Sequence, residues 1–218
     1  SGKAALVDSL ALAVQGIVVV KDGNILGKTE VYLNGERASV RTEETNYGNL
    51  TADANLIQAQ QFDPSVRVSI KNGGGIRAAI GEVVEVSPGV YNYLPPQANP
   101  LSGKLVEEVS QLDIENSLRF NNLLSVLDLT ASGLKDVLEH GVAAVAAGST
   151  PGQFAQVGGV RFSYDPKLAA GSRIISAIIL DNNGTTTDTL VKNGVVFGNG
   201  NRTIKVVTLN FLAGGGDS

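Results

Sequence analysis

The sequence predicts an α+β domain, in which a mixed β-sheet is covered by flanking helices. Short runs rich in β-branched residues recur along the chain, and polar turns such as the one at 181–184 separate them. Such turns are typical of antiparallel hairpins. Segments 46–60 and 132–147 carry apolar residues at helical spacing and lie between these strands. Helices mixed with hairpin-linked strands favour a mixed sheet with helical layers.

The composition indicates an ordered domain and excludes several kinds of site. The chain has 218 residues, of which 43% are hydrophobic and 17% are charged, so it can bury an ordinary core. A net charge of −4 argues against a nucleic-acid polymer as partner. The absence of cysteine excludes disulfides, thiol catalysis and Cys-ligated metals. The single histidine, His140, falls in a helical pattern, and we expect it on a helix surface rather than in catalysis.

We expect residues 1–26 to form an N-terminal extension or linker. Residues 10–20 are apolar, but the run is short and no basic segment precedes it, which argues against a signal peptide. No run of about 18 apolar residues is apparent, so we expect no membrane span. The β-branched run 16–21 predicts a strand that pairs with 25–31 through an Asp-Gly-Asn turn.

The remaining elements follow in order along the chain. A helix is predicted over 46–60 with Thr45 or Asn46 as N-cap, and a strand over 66–71. Residues 87–102 are rich in Pro, Asn, Tyr and Gly and predict a long loop or a small excursion outside the core. Short-range patterns then predict two helices and five strands: helices 113–118 and 132–147, and strands 123–130, 160–164, 173–180, 189–196 and 203–209.

The run from Asn72 to Arg77 is the most informative local motif. Three consecutive glycines, Gly73–Gly75, leave backbone N–H groups open to a polar or anionic ligand, and Asn72 and Arg77 flank them. A tight turn is the alternative, since glycine-rich turns commonly follow strands. The motif lacks the Lys and Ser or Thr of a P-loop and the glycine spacing of a dinucleotide fold.

Arginines and phenylalanines supply further candidates. Arg37 and Arg41, four residues apart, could clamp a phosphate or could simply be two solvated charges, and Arg77 would add a third cation. Phe120 and Phe211 have polar or glycine neighbours and could stack on both faces of a planar base, each contact worth roughly 1–3 kcal/mol. The alternative for each ring is a place in the core. A nearby carboxylate could accept hydrogen bonds from ribose hydroxyls.

Six motifs in a fixed order resemble the C-terminal domain of the 5′-nucleotidase family, over residues 27–218. They are Arg37-x-x-x-Arg41, residues 42–54, Asn72 to Arg77, Phe120 to Asn122, residues 152–160 and residues 210–217. The resemblance implies a layered sandwich that forms the second half of a two-domain enzyme. The first half, absent from this sequence, would be a metallophosphoesterase domain with two divalent metal ions and a catalytic His-Asp pair.

The resemblance also implies a nucleotide or nucleoside as ligand and a role for each motif residue. Phe120 and Phe211 would stack on the base, Asp217 would accept from the ribose, and the three arginines would contact phosphate. The implied substrate-binding set is Arg37, Arg41, Asn72, Gly74, Arg77, Phe120, Asn122, Gly152, Phe211 and Asp217. No catalytic residue, metal ligand or cofactor is expected in this chain, which we expect to be inactive alone.

The sequence departs from the family pattern in places. Arg119 stands where the family usually has proline, and an insertion at about 83–103 follows the glycine run. By resemblance, the parent protein would be periplasmic, cell-surface or secreted. Two alternatives stay open: an ancillary binding module with a degenerate pocket in a multidomain exported protein, and the equivalent domain of a 2′,3′-cyclic-nucleotide phosphodiesterase.

Overall fold

The computed structural model describes residues 2–217, and within them the chain forms five α-helices and twelve strands. The helices are α1 Gly2–Gly23, α2 Asn46–Gln60, α3 Gln111–Ser117, α4 Ala131–Val142 and α5 Asn210–Ala213. The strands are β1 Ile25–Lys28, β2 Val68–Asn72, β3 Glu82–Ser87, β4 Val90–Leu94, β5 Glu108–Ser110, β6 Leu124–Thr130, β7 Ala155–Gly158, β8 Val160–Tyr164, β9 Ile174–Leu180, β10 Thr186–Lys192, β11 Val195–Val196 and β12 Thr203–Leu209.

These elements divide into two compact units. The first contains the residues up to Leu33 together with Arg77–Arg119, and the second contains Asn34–Ile76 together with the residues from Phe120 onward. The predicted division of the chain between residues 26 and 27 stays a prediction.

The second unit is built on a mixed four-stranded sheet with the order β6-β12-β2-β7. β2 lies parallel to β12 and antiparallel to β7, while β6 is antiparallel to β12. All five residues of β2 are buried, because strands flank it on both edges and protein layers cover both faces. Complete burial of a strand whose sequence includes Ser69, Lys71 and Asn72 fits a central position in the sheet.

A second sheet and one helix cover one face of this mixed sheet. The strands β11-β10-β9-β8 form the second sheet, which is antiparallel throughout. Ile70 and Val206 of the mixed sheet, Leu134 and Leu138 of α4, and Ile179 of the second sheet belong to one apolar core. Burial of this size supplies the main driving force for folding.

Helix α2 covers the opposite face of the mixed sheet. Leu56 and Ala59 of α2 form a smaller apolar cluster with Val66 and with Val207 of β12. The unit is therefore layered, with a mixed sheet between α2 on one side and α4 with the antiparallel sheet on the other. The predicted α+β class with a mixed sheet and flanking helices is confirmed.

Helix starts follow the capping signals in the sequence. The Thr45 side chain accepts from the Gly48 N–H, as predicted for the N-cap of α2. Thr130 accepts from the Gly133 N–H and begins α4. Ser110 and Asp113 form a capping box at α3, so the predicted helix over 113–118 is confirmed with a start two residues earlier.

The strand predictions in the second unit are largely confirmed. The predicted strands 160–164 and 203–209 match β8 and β12 at both ends. The predicted strand 189–196 is divided, because Asn193 and Gly194 adopt positive φ and turn the chain between β10 and β11. The predicted helix 132–147 ends earlier, at Val142.

The predicted hairpin at the N-terminus is wrong. Residues 16–21 belong to helix α1, and β1 pairs with β5 rather than with a preceding strand. β-Branched residues favour strands only where a partner strand is available, whereas a helix satisfies its backbone groups internally. The local run therefore could not reveal that the partner of β1 lies about 80 residues further along the chain.

Helix α1 also corrects the expectation that no long apolar run exists. By length and composition alone it is apolar enough to cross a membrane, with a mean hydropathy of 1.8. Asp8 and Gln15 interrupt the run, but the alanines, leucines and valines around them keep the average high. A signal sequence near an N-terminus has the same properties.

The segment predicted as a long loop contains a strand. β3 and β4 form an antiparallel hairpin, and Gly89 with a φ of 77° makes the turn. Most of the hairpin is exposed, which agrees with the expectation that the segment lies outside the core. The sequence did not reveal the strand, because both strands are short and exposed and therefore lack a buried apolar face, while the Pro, Asn and Tyr residues around them are typical of loops.

A buried polar cluster holds the end of α1 inside the first unit. The Asp22 carboxylate accepts from Lys104 Nζ at 3.1 Å and from Ser110 Oγ at 3.0 Å, and Asn99 and Ser102 also donate to it. Burial alone would raise the pKa of Asp22, but these hydrogen bonds lower it to about 2. The carboxylate therefore stays charged, and part of the proposed insertion packs on α1 through it.

Candidate functional site

The glycine run after β2 forms a buried 3₁₀ turn, Gly73–Gly75. The Gly73 N–H donates to the Phe154 carbonyl at 2.7 Å, and the Gly74 N–H donates to the Gly152 carbonyl at 2.8 Å. Of the two alternatives for this run, the tight turn is confirmed, whereas N–H groups open to a ligand are excluded for Gly73 and Gly74. The reason is the neighbouring segment 152–154, whose carbonyls the sequence pattern could not place.

Glycine is required here because other backbone segments approach closely. A Cβ on Gly73 would lie 1.8 Å from the Val40 carbonyl oxygen, which no side chain could tolerate. A Cβ on Gly74 would lie 3.0 Å from the Cα atom of Gly152. The run therefore lets the segments around Val40 and Gly152 pack against the end of β2.

Asn72, the last residue of β2, is bonded to a carboxylate near the C-terminal end of the chain. Its Nδ2 donates to Asp217 Oδ2 at 2.6 Å. Because a carboxylate only accepts, this contact assigns the amide orientation. Asn72 Oδ1 is buried and has no hydrogen-bond partner within residues 2–217. Asn72 thus fixes the Asp217 carboxylate at Oδ2, and the Oδ1 atom of Asn72 has no partner among these residues.

Gly152 completes this group of predicted residues. A Cβ on Gly152 would lie 3.5 Å from Asp217 Oδ1, so the backbone of this turn passes beside the carboxylate. Four predicted site residues therefore converge in the second unit: Asn72, Gly74, Gly152 and Asp217.

Phe211 lies on the same C-terminal turn as Asp217. The turn winds on itself through hydrogen bonds such as Gly216 N–H to the Phe211 carbonyl at 2.8 Å. A Cβ on Gly216 would lie 2.5 Å from the ring carbons of Phe211, so the ring rests directly on this glycine. The ring is still 45% exposed. A half-exposed phenylalanine is thus packed against Gly216, the residue that directly precedes Asp217.

The loop that carries Phe120 and Asn122 is tied to the start of α5. The Leu123 N–H donates to Asn210 Oδ1 at 2.9 Å, and the Asn210 N–H donates back to the Leu123 carbonyl at 2.8 Å. Phe120 is 56% exposed, which excludes the alternative of a core ring. Sequence reasoning did not single out Asn210, although it joins the two phenylalanine-bearing segments.

The two neighbouring arginines differ in their surroundings. Arg37 is exposed, whereas Arg41 is buried and its Nη1 donates to the Thr150 carbonyl at 3.1 Å. Arg41 therefore contacts the turn that leads to Gly152. Arg77 belongs to the first unit, where its backbone N–H donates to the Ser117 carbonyl at 2.8 Å.

Two further charged or titratable residues lie near these groups. His140 Nε2 lies 3.0 Å from the Asp217 carbonyl oxygen, and its side chain is exposed on α4, as predicted for a surface histidine. Lys71 is only 6% exposed, and burial lowers its pKa to about 8. Neither the contact between His140 and Asp217 nor the burial of Lys71 has a local sequence signal, because each depends on packing between distant elements.

The Asp217 turn also borders a cavity of about 410 Å³. Apolar side chains such as Ile70, Leu129 and Val206 line most of it, and His140 and Asp217 lie at its polar part. Within residues 2–217, no three His, Cys, Asp or Glu side chains are placed to hold a metal ion. The site as described can thus bind and orient a ligand through rings, a carboxylate and amides.

Comparison with known proteins identifies the family. The family model described as "5′-nucleotidase, C-terminal domain" matches residues 25–218. The trifunctional nucleotide phosphoesterase protein YfkN of Bacillus subtilis (strain 168) is 33% identical over 192 residues, covering 88% of this chain and 11% of the relative. The human 5′-nucleotidase is 33% identical over 199 residues, covering 88% of this chain and 29% of the relative.

A solved structure agrees with these matches. The 5′-nucleotidase precursor of Thermus thermophilus superposes with a TM-score of 0.71 at 28% identity, covering 96% of this chain and 34% of that one. This chain spans about a third or less of the length of these three proteins. It belongs to the 5′-nucleotidase family and corresponds to the C-terminal domain of that family.

Proposed function

We propose that this chain is the nucleoside-binding part of a 5′-nucleotidase-type phosphohydrolase. One observation carries the proposal: the exposed Phe211 ring and the Asp217 carboxylate lie on one tight glycine-rich turn, and Asn72 holds the carboxylate. A flat apolar face next to a fixed acceptor suits a base joined to a sugar with hydroxyl groups.

The base stacks between Phe120 and Phe211 in this proposal. Both rings are about half exposed, so each presents a face without unfolding the domain. Their segments are joined by the paired hydrogen bonds between Leu123 and Asn210, which limits how far the rings can separate. Recognition by stacking depends on the π-face that every base has, so the site should accept several bases.

The sugar and phosphate are bound by polar groups around the rings. Asp217 accepts from the ribose hydroxyls, and Asn72, Asn122 and the backbone near Gly74 and Gly152 surround the nucleoside. Arg37 and Arg41 of the second unit provide positive charge for phosphate, and the phosphate contact of Arg77 stays a prediction from the family resemblance. The bond from Arg41 to Thr150 supports a preorganised guanidinium, which reduces the entropy lost on binding.

The chemical step belongs to a separate domain in this proposal. The described residues of this chain form no metal-binding group, so we assign the two divalent metal ions of the family to a metallophosphoesterase domain of an exported parent protein. This chain contributes binding energy from the base and ribose, which orients the phosphate for attack.

Titration calorimetry with adenosine and AMP tests the proposal on the purified 218-residue chain. Phe120→Ala and Phe211→Ala should each weaken binding by about tenfold, since one stacking face is worth roughly 1–3 kcal/mol. Phe62→Ala is the matched control, because Phe62 is 84% exposed and should leave affinity unchanged. Equal losses in all three variants, or none, would contradict base stacking.

A phosphate-release assay tests the division of labour. The chain with AMP and added Mn²⁺ should release no phosphate above the buffer control, because residues 2–217 contain no group of three His, Cys, Asp or Glu side chains placed to hold a metal ion. Turnover by the isolated chain would contradict the assignment. If neither adenosine nor AMP binds at millimolar concentration in the calorimetric titration, an ancillary module with a degenerate pocket becomes the better description.

A further inference from the structure

Asp217 has an unusual backbone conformation for the residue that presents a carboxylate to a ligand. Its φ is 60°, in the left-handed region, which Asp and Asn enter more readily than other non-glycine residues but still uncommonly. Gly215 before it also has a positive φ, of 91°. A strained conformation persists only where the surroundings hold it, so the contacts of Asp217 determine where its carboxylate points.

His140 holds the backbone of Asp217. Its Nε2 lies 3.0 Å from the Asp217 carbonyl oxygen, which can only accept. Nε2 must therefore carry the proton and donate, which excludes the neutral tautomer protonated at Nδ1. The side chain of Asp217 is held separately, by Asn72 at 2.6 Å.

His140 is itself held rigidly by its surroundings. It lies in the last turn of α4, whose Leu134 and Leu138 are fully buried in the core. Its carbonyl accepts from Gln153 Nε2 at 2.7 Å, and Gln153 directly follows Gly152, the residue beside the Asp217 carboxylate. Four residues are therefore linked in a ring: His140 is hydrogen-bonded to Asp217 and to Gln153, Gln153 is covalently joined to Gly152, and Gly152 lies beside the Asp217 carboxylate.

We propose that His140 is a positioning residue: its Nε2–H fixes the left-handed backbone of Asp217 and thereby aims the carboxylate at the ribose hydroxyls. This inference rests on the proposed nucleoside-binding function. In this proposal, His140 itself makes no contact with the nucleoside. Without the bond, Asp217 would relax to ordinary φ values, and its carboxylate would lose the geometry that Asn72 and Gly152 define.

The test compares adenosine with 2′,3′-dideoxyadenosine, which lacks the 2′- and 3′-hydroxyls of the ribose. His140→Ala should weaken adenosine binding about three- to tenfold, the effect of one lost hydrogen bond, and leave the analogue within about twofold. His140→Gln should restore most of the affinity, because its Nε2 can also donate. Lys167→Gln, at an exposed position of the second unit that does not border this cavity, is the control and should change the affinity for neither ligand.

A merely structural role would weaken both ligands equally, and that result would overturn the proposal. If the wild-type chain binds both ligands equally, or binds neither, the ribose role of Asp217 fails and the positioning role falls with it. If the wild type prefers adenosine and His140→Ala keeps that preference, only the role of His140 fails.

A second readout needs no ligand. The chain has a single histidine, so its imidazole signals in ¹⁵N-edited NMR spectra need no further assignment. The spectra should show Nε2 protonated near neutral pH. A neutral ring protonated at Nδ1 would overturn the contact, and with it the proposal.

Discussion

The side-chain amide of Asn72 donates a 2.6 Å hydrogen bond to the carboxylate of Asp217, although 145 positions separate them in the chain. The bond joins the end of a buried central strand to the C-terminal turn. A short bond to an ionised acceptor is among the stronger neutral-to-charged contacts in proteins. The strand therefore provides the rigid base on which the proposed ribose acceptor is built.

Asn72→Ala should weaken adenosine binding to the chain about tenfold. It removes a hydrogen bond to a charged group, worth about 1.5–3 kcal/mol, and frees the Asp217 carboxylate. Calorimetry measures the affinity, and Asn92→Ala in the exposed β4 strand is the control. Wild-type affinity in Asn72→Ala would show that this bond does not position the acceptor.

Gly216→Ala should reduce nucleoside affinity with little change in stability. Its Cβ would lie 2.5 Å from the Phe211 ring, so the ring must move from the position proposed for stacking. Because the ring is 45% exposed, moving it costs little core packing, and the melting temperature should fall by no more than a few degrees. Gly27→Ala has open space around its Cβ and is the control. Unchanged affinity in Gly216→Ala would argue against a stacking role for Phe211.

Gly73→Ala should destabilise the second unit by about 3 kcal/mol or more, beyond the ordinary cost of overpacking. Its Cβ would lie 1.8 Å from the Val40 carbonyl oxygen, so backbone must shift. Gly152→Ala, whose Cβ would be 3.5 Å from Asp217 Oδ1, should fold with near-normal stability. Urea denaturation measures both, and equal stability of the two variants would contradict the close approach at Gly73.

Lys71 should make stability rise with pH in the alkaline range. Burial lowers its pKa in the folded chain from 10.5 to about 8, so between these values the unfolded chain binds more protons. The penalty for burying the charge is therefore fully present below about pH 8 and declines as the pH rises toward 10.5. Lys71→Met should raise the free energy of unfolding by about 1–3 kcal/mol at pH 7.

The advantage of Lys71→Met over the wild type should shrink steadily as the pH rises from 8 to 10.5, the window set by the two pKa values. Urea denaturation at a series of pH values measures it. Lys167→Met, at an exposed position, is the matched control and should show no such trend. A difference between Lys71→Met and wild type that does not vary with pH would contradict a lowered lysine pKa.

Local signals predicted much of the second unit. The α2 helix begins after its Thr45 cap as predicted, and β8 and β12 have the predicted bounds. Caps and β-branched runs act over a few residues, so they can be read from sequence alone. The N-terminal segment was mispredicted because the choice between helix and strand there depended on a partner strand elsewhere in the chain.

The sequence by itself determined the family, the α+β class and the residue types of the candidate site, because ordered motifs and short-range patterns are written directly in the chain. Tertiary structure decided how those residues act. In the folded chain, the N–H groups of Gly73 and Gly74 are hydrogen-bonded to backbone carbonyls and Arg41 is buried. Asn72 and His140 both contact Asp217. These contacts bring together residues from β2, α4 and the C-terminal turn, and only the packing of those elements around a common core sets their distances.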